Sequence, residues 1–241
     1  MRYLLLMIVV AAGVFLAGLW QHWEGWPWRD VPRRYNPFAP LHVDDPPSLL
    51  TRIKRERIAH DPKACRATLE QARRAGEVAY RAVGSPSIGQ CQLHHAVRIR
   101  STSVDFNHSF LASCPLAVAW LRFERHQLQP AARDLFDAPV RHVIHYGSFA
   151  CRNIYHRKDA RRSAHATAEA LDIAAFRLAD GTSVSVQKNW AKHSDDDRRS
   201  RFLHRIHEGA CQEFSTVLGP GYNAAHANHF HLGADGFSVC R

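Results

Sequence analysis

The stretch RRSAHATAEALDIAAFRLADGTSVSV, residues 161–186, reads as a loop, a strand, a tight turn and a second strand. Leu171 to Leu178 and Thr182 to Val186 are apolar and β-branched. Asp180-Gly181 lies between them, a dipeptide suited to turning one strand back on the next. A hairpin here commits the chain to an antiparallel sheet. Working outward, Val97 to Val104 and Val140 to Tyr146 read as further strands, and His229 to Leu232 as a short final one. Helices are expected over Asp61 to Val83, started by Asp61-Pro62, and over Pro115 to Leu128, with proline in the first turn. A third is expected over Phe202 to Leu218, ended by Gly219-Pro220-Gly221. A shorter helix starts near Pro47, with Leu49, Leu50, Ile53 and Ile58 on a rough stripe. Mixed order with a hairpin gives an α+β domain with a mainly antiparallel sheet and flanking helices.

The chain has 241 residues, 46% of them hydrophobic, enough for one packed domain and a tail. No repeat period is visible. The formal net charge is +10, which attracts acidic polymers without choosing among them. Zinc-finger spacing and an RNP-type aromatic signature are both missing, so nucleic acid is not the expected partner. No P-loop or dinucleotide fingerprint occurs, which argues against nucleotides. No G-x-S-x-G is present, which weakens a serine-hydrolase reading.

Tyr3 to Trp20, YLLLMIVVAAGVFLAGLW, is apolar and just long enough to span a bilayer. Trp20, Trp23, Trp26 and Trp28 follow as an interfacial belt would. Residues 1–20 are therefore expected to be an N-terminal membrane anchor, with a cleaved signal peptide as the rival. Residues 21–60 carry Pro27, Pro32, Pro37, Pro40, Pro46 and Pro47 and read as a linker. The folded domain is expected over 61–241. Arg29, Arg33 and Arg34 lie after the span and only Arg2 before it, which by charge alone puts the domain in the cytoplasm.

The cysteines argue the other way. Cys65, Cys91, Cys114, Cys151, Cys211 and Cys240 are scattered and form no CxxC, so three disulfides are the better reading. Fifteen pairings are open, and one of them, Cys211 with Cys240, would tie down the last residues. Disulfides need an oxidising compartment. The expectation is an inner-membrane, single-pass protein with its domain in the periplasm.

Seventeen histidines make any lone His uninformative. Three features rise above that background. His165 is the one His with an Asp seven positions on, Asp172, and the pair spans the loop and the start of the first hairpin strand. Imidazole nitrogen and carboxylate oxygen are normal zinc ligands. His229-Phe230-His231 is the one H-x-H, and in a strand residues two apart share a face. His226 lies three residues earlier. His165, Asp172 and one of the last three His would make three protein ligands, with a fourth position open as in catalytic zinc sites.

From about Cys65 onward the chain resembles the bacterial extensin-like C-terminal domain family. The likeness is densest in SFACRNIY (148–155), in residues 161–186 and in GACQEFSTVLGPGYNAAHANHFHLG (209–233). That family looks related to zinc peptidases of the cell wall: D-Ala-D-Ala carboxypeptidases and murein endopeptidases with the hedgehog/DD-peptidase fold. Ser163, His165 and Asp172 match their S-x-H-x(6)-D motif, and His229 and His231 their H-x-H. The resemblance implies His165, Asp172 and His231 as ligands of Zn2+, and His229 and His226 as catalytic histidines near the open position. Of these, His229 would move the proton, and His226 would orient water or stabilise the oxyanion. Arg152 and Ser163 are the implied substrate-binding residues. The implied partners are peptidoglycan peptides. Two departures stand out: the family usually has Gly near Ala168, and often has Asp where this chain has Asn228.

Three functions fit this reading. The first is a membrane-anchored zinc hydrolase acting on peptidoglycan peptides, of DD-carboxypeptidase or endopeptidase type. The second is an inactive wall-binding domain that keeps the fold. The third is a periplasmic metal-binding protein whose histidine richness is itself the function.

Overall fold

Asp180 closes the expected hairpin through its own side chain. Its carboxylate accepts from the Thr182 N–H at 2.8 Å and from the Thr182 hydroxyl at 2.9 Å. Gly181 takes the positive φ, +86°, that the reversal requires. The computed structural model describes residues 7, 10–14, 31–190, 197–235 and 238–241. The described residues fall into two units, one within Met1–Pro40 and a compact one, Leu41–Arg241. In the first unit, residues 7 and 10–14 are helical and Arg33–Tyr35 forms a short 3-10 turn. Most of the apolar span at 3–20 lies outside the described residues. Among the described residues no helix is long and apolar enough to cross a membrane.

The compact unit contains strands β1 (Ala79–Gly84), β2 (Ser87–Ile88), β3 (Cys91–Gln92), β4 (Ala96–Ser101), β5 (Asp105–Ala112), β6 (Val140–Gly147), β7 (Ala170–Leu178), β8 (Ser183–Ser185), β9 (Thr216–Leu218), β10 (Phe230–Gly233) and β11 (Val239–Cys240). The main sheet runs β1-β4-β5-β6-β7-β10-β9-β11, with β8 paired to β7, while β2 and β3 form a separate ribbon. The pairs β5–β6 and β9–β11 are parallel and the other pairs are antiparallel. The sheet is thus mixed, within the α+β class. Strands β5 and β6 are joined by a helical crossover, Cys114–Phe136, as a parallel pair demands. A π turn at Glu124–Leu128 interrupts that helix just before Pro130, which has no N–H to offer the ladder.

Two expected helices end early, each for a local reason. The first covers Pro62–Arg74, not Asp61–Val83. Gly76 adopts φ +75°, the Gly76 N–H bonds the Arg73 carbonyl and the Glu77 N–H bonds the Ala72 carbonyl, both at 3.0 Å. That double bond is a Schellman stop, and the residues beyond it become edge strand β1. The other helix covers Arg198–Glu213, not Phe202–Leu218. The β-branched Thr216-Val217 leaves it to pair with β10 and β11. Strand β5 was not expected at all.

The core lies on one face of the sheet under the helices, with Trp120, Phe123, Phe176, Phe202, Phe214 and Phe230 among its largest side chains. In β7, Leu171 and Ile173 face this core and so do Phe176 and Leu178. Odd and even positions can share a face only because the register slips: Ile144 opposes Ala175 but His145 opposes Ile173, leaving Ala174 as an extra residue. Tyr146 is the matching extra residue on β6, between His145 and Gly147. Bulges re-aim side chains next to sites, and here Asp172 is directed to the face opposite the core.

The unit begins well before the boundary expected at 61. Leu41, Val43 and Ile58 are buried in the core. Arg122, 1% exposed, holds that segment by donating to the carbonyls of His42 at 3.0 Å and Asp45 at 2.8 Å. The same guanidinium pairs bidentately with Glu213, at 2.8 and 3.2 Å. The stripe expected on the preceding helix, Leu49–His60, is not a buried face, since Leu49 and Ile53 are exposed.

Three disulfides close the unit: Cys65–Cys114, Cys91–Cys151 and Cys211–Cys240. The last is the pairing singled out from the sequence.

Burial sets a pH dependence. His145 is 1% exposed and His207 8%. Burial pushes both imidazoles below the ordinary His value, against the pull of the His108 and Arg241 carbonyls that they touch at 2.9 and 3.1 Å. Burial likewise pushes His126 down. In the unfolded chain these groups take up protons near ~6.5, and in the fold they resist. Stability is therefore complete above that value and is lost as pH falls through it, by up to about 1.4 kcal/mol per group per pH unit. The urea midpoint of chelator-treated protein is expected to drop between pH 7.5 and 5.5, and to drop less in His145→Gln. A midpoint flat across that range would contradict this.

Candidate metal centre

Asp172 and His231 stand opposite each other in the antiparallel pairing of β7 with β10, so the sheet sets their spacing. The His231 Nδ1 lies 2.9 Å from Asp172 Oδ1. His165 comes from a 3-10 turn, Ala164–Thr167, that folds back over the start of β7. Its Nε2 lies 3.1 Å from His231 Nδ1 and 3.2 Å from Asp172 Oδ2. The three side chains expected from sequence thus meet: His231 Nδ1 lies against both His165 Nε2 and Asp172 Oδ1, and the second carboxylate oxygen, Oδ2, lies against His165.

The turn that delivers His165 is built by Ser163. The Ser163 hydroxyl accepts from the His165 backbone N–H at 3.3 Å and caps the turn. Ser163 is buried, with its hydroxyl engaged in that cap. Ala168 ends the turn at φ +56°, a left-handed conformation that glycine adopts without strain, in keeping with the glycine that the resemblance implies near this position. Arg152 does not reach the cluster: among the described residues its guanidinium bonds the neighbouring Asn153 carbonyl, at 3.5 Å.

His229 and His226 complete the group. His229 Nε2 lies 3.6 Å from Asp172 Oδ1. The His226 ring sits 5.3 Å from the His229 ring and 5.8 Å from the His231 ring, centre to centre. Three half-exposed tyrosines rim the cluster, a feature that the sequence reading missed. Tyr146, the bulge residue, packs edge-on against His229 at 5.8 Å. Tyr222 does the same to His226 at 5.4 Å. Tyr155 reaches the Asn223 amide with its hydroxyl at 3.0 Å.

Three imidazoles have an oxygen behind them. His165 Nδ1 lies 3.2 Å from the Ser148 carbonyl, His229 Nδ1 2.8 Å from Asn228 Oδ1, and His226 Nδ1 2.8 Å from Asn223 Oδ1. A carbonyl can only accept, so Nδ1 of His165 carries the hydrogen and Nε2 of the neutral ring keeps a lone pair. Metal-binding histidines are commonly oriented in this way.

The electrostatics agree with a negative, water-poor centre. Burial alone would raise the Asp172 carboxyl, but the adjoining imidazoles of His165 and His231 outweigh it and hold the group well below the usual carboxylate range. Burial, reinforced by His231 and His229, pushes His226 down to about 4. Burial pushes His229 down as well, against the pull of Asp172. Burial pushes the nearby Glu169 and Asp235 carboxyls up. A second convergence of donors, His207 with Cys211 and Cys240, is closed off by the disulfide between those two cysteines.

This geometry falls inside the region matched by one family model, described as extensin-like protein C-terminus, which covers residues 63–241. The chain belongs to that family. The extensin-like domain therefore begins inside the helix capped by Asp61 and includes every residue of the cluster. No curated protein and no solved structure matches the chain.

Proposed function

We propose that this extensin-like domain is a zinc-dependent hydrolase of peptidoglycan peptides, with His165 Nε2, Asp172 and His231 Nδ1 as ligands. The single observation that carries the reading is the convergence of these donor atoms. The contacts of 2.9, 3.1 and 3.2 Å, the first through Oδ1 and the last through Oδ2 of Asp172, are close to the ~3.3 Å that would separate two ligands of a tetrahedral ion with bonds of about 2.0–2.1 Å. Three protein ligands would leave one position for water or substrate. An ion there supplies Lewis acidity toward a scissile carbonyl and toward water.

The chain's own groups would then move the proton. His229, with Nδ1 engaged by Asn228, offers an Nε2 lone pair beside Asp172. It is placed to take a proton from the attacking water and return it to the leaving amine. Tyr146 packs edge-on against that ring. The three disulfides support an oxidising compartment. We place the domain in the periplasm behind an inner-membrane segment at residues 3–20. Kinship with the carboxypeptidase and murein endopeptidase families, and with the hedgehog/DD-peptidase fold, is part of the same proposal.

The test is hydrolysis of purified wall peptides, stem and cross-linked, by the full chain with and without zinc. Zinc-dependent release of product is expected, with kcat at least about 100-fold lower in His229→Ala and wall binding retained. One observation favours a second reading: the group behind His229 is the Asn228 amide, which lacks the charge of a carboxylate. Wall binding without turnover in any condition would favour an inactive wall-binding domain.

A further inference from the structure

Around His226 the orientation of every polar group can be deduced from one backbone donor. Asn223 caps the short turn Ala224–His226, and its Oδ1 accepts from the Ala225 N–H at 3.0 Å. A backbone N–H can only donate, so this atom is the amide oxygen and the other is the nitrogen. The nitrogen donates to the Tyr155 hydroxyl at 3.0 Å. The oxygen is also the atom 2.8 Å from His226 Nδ1. Nδ1 must therefore carry the hydrogen, and Nε2 of the neutral ring has only a lone pair, on a ring packed against His229 and His231. The segment that brings Tyr155 to Asn223 is strained: Tyr155 and His156 have φ of +51° and +59°, two successive residues with side chains in the left-handed region. Strain of this kind persists where the surroundings hold it, often at functional sites.

We propose that Asn223, steered by Tyr155, is a positioning residue that holds His226 in its Nδ1–H form, making His226 an acceptor toward the centre. Neutral His226 then cannot donate a hydrogen bond through Nε2. Its part is to accept a hydrogen bond from water, and donation to a developing oxyanion falls to other groups. The tautomer assignment stands on the hydrogen bonds alone, and only its consequence for turnover rests on the hydrolase reading.

The experiment is two-bond 1H–15N correlation of the histidine rings in the full chain, metal-free at pH 7.5. The wild type is expected to show Nδ1 protonated and Nε2 bare at His226. Asn223→Asp retains the acceptor and should keep that pattern. Asn223→Ser keeps a cap on the turn but cannot reach the ring, and should give a mixture of tautomers. Tyr155→Phe, which leaves the cap and the acceptor in place, should shift the same equilibrium less. Turnover of wall peptides should fall at least tenfold in Asn223→Ser at unchanged zinc content and recover in Asn223→Asp. An Nε2–H signal in the wild type, or an unaltered tautomer in Asn223→Ser, overturns the proposal. Absence of hydrolysis in every protein would count against the hydrolase reading alone, because the ring spectra answer independently.

Discussion

Zinc titrated into the metal-free full chain is expected to bind at about one ion per molecule, and a His165→Ala/His231→Ala double variant is expected to lose that ion. Both substitutions remove proposed ligands and leave Asp172 alone of the three. Loss of even an outer-shell partner commonly costs 10–100-fold in affinity. Loss of two ligands should cost more than about a thousand-fold, placing binding outside a micromolar titration. Asp172 and His231 are already opposed in the sheet, so the site exists before the ion and the protein should remain folded without it. Circular dichroism of the double variant provides that control. Equal zinc content in both proteins would sink the proposed ligand set. It would move attention to the other histidines, as a metal-storage function requires.

Arg122→Ala is expected to lower the stability of the compact unit by about 3–5 kcal/mol. The guanidinium and its partner Glu213 are both 1% exposed in their side chains. Its removal leaves a buried carboxylate whose remaining cation, Arg55, stands 3.6 Å away and 17% exposed. The carbonyls of His42 and Asp45 each lose a donor at the same time. The damage should be twofold: a lower denaturant midpoint, and faster proteolysis within residues 41–60 than in the wild type. Replacing both partners, as Arg122→Met/Glu213→Leu, should cost less than the single change, because no charge is then left unpaired. A single variant within about 1 kcal/mol of the wild type would mean that water reaches this pair.

The legible parts of this fold were those written locally. Asp61-Pro62 and Asp180-Gly181 carry their own start and turn, and each formed as expected; the final strand, expected from His229, runs Phe230–Gly233, so of that histidine pair His231 alone lies in it. The illegible parts depend on partners distant in sequence. Strand β5 is polar at four of its first five positions, with Phe106 the exception, and is held by β4 and by the Asn107 amide, which brackets the backbone of His145 at 3.0 and 3.1 Å. The segment at 41–45 looked like linker because its anchor, Arg122, lies some eighty residues away. At the site, the five converging side chains could be found from spacing. The groups behind the rings could not, with one exception: Asn223 three residues before His226 is a helix-cap spacing and was there to be noticed. Tyr146, Tyr155 and Tyr222 gave no signal, since a bulge and a strained loop bring them in.

The extra residue in β7 has a consequence for how this site can be lost. Side-chain direction in a strand has a period of two, so a shift of one position exchanges the faces. Ala174 is where that exchange takes place: Leu171 and Ile173 precede it, Phe176 and Leu178 follow, and all four point to the same side. Deleting Ala174 would return the strand to plain alternation with all four still on that side, so the sorting of faces would survive. What would go is the bend and the added twist that a bulged strand carries. Asp172 would keep its face, and the site would be lost through aim with its chemistry intact.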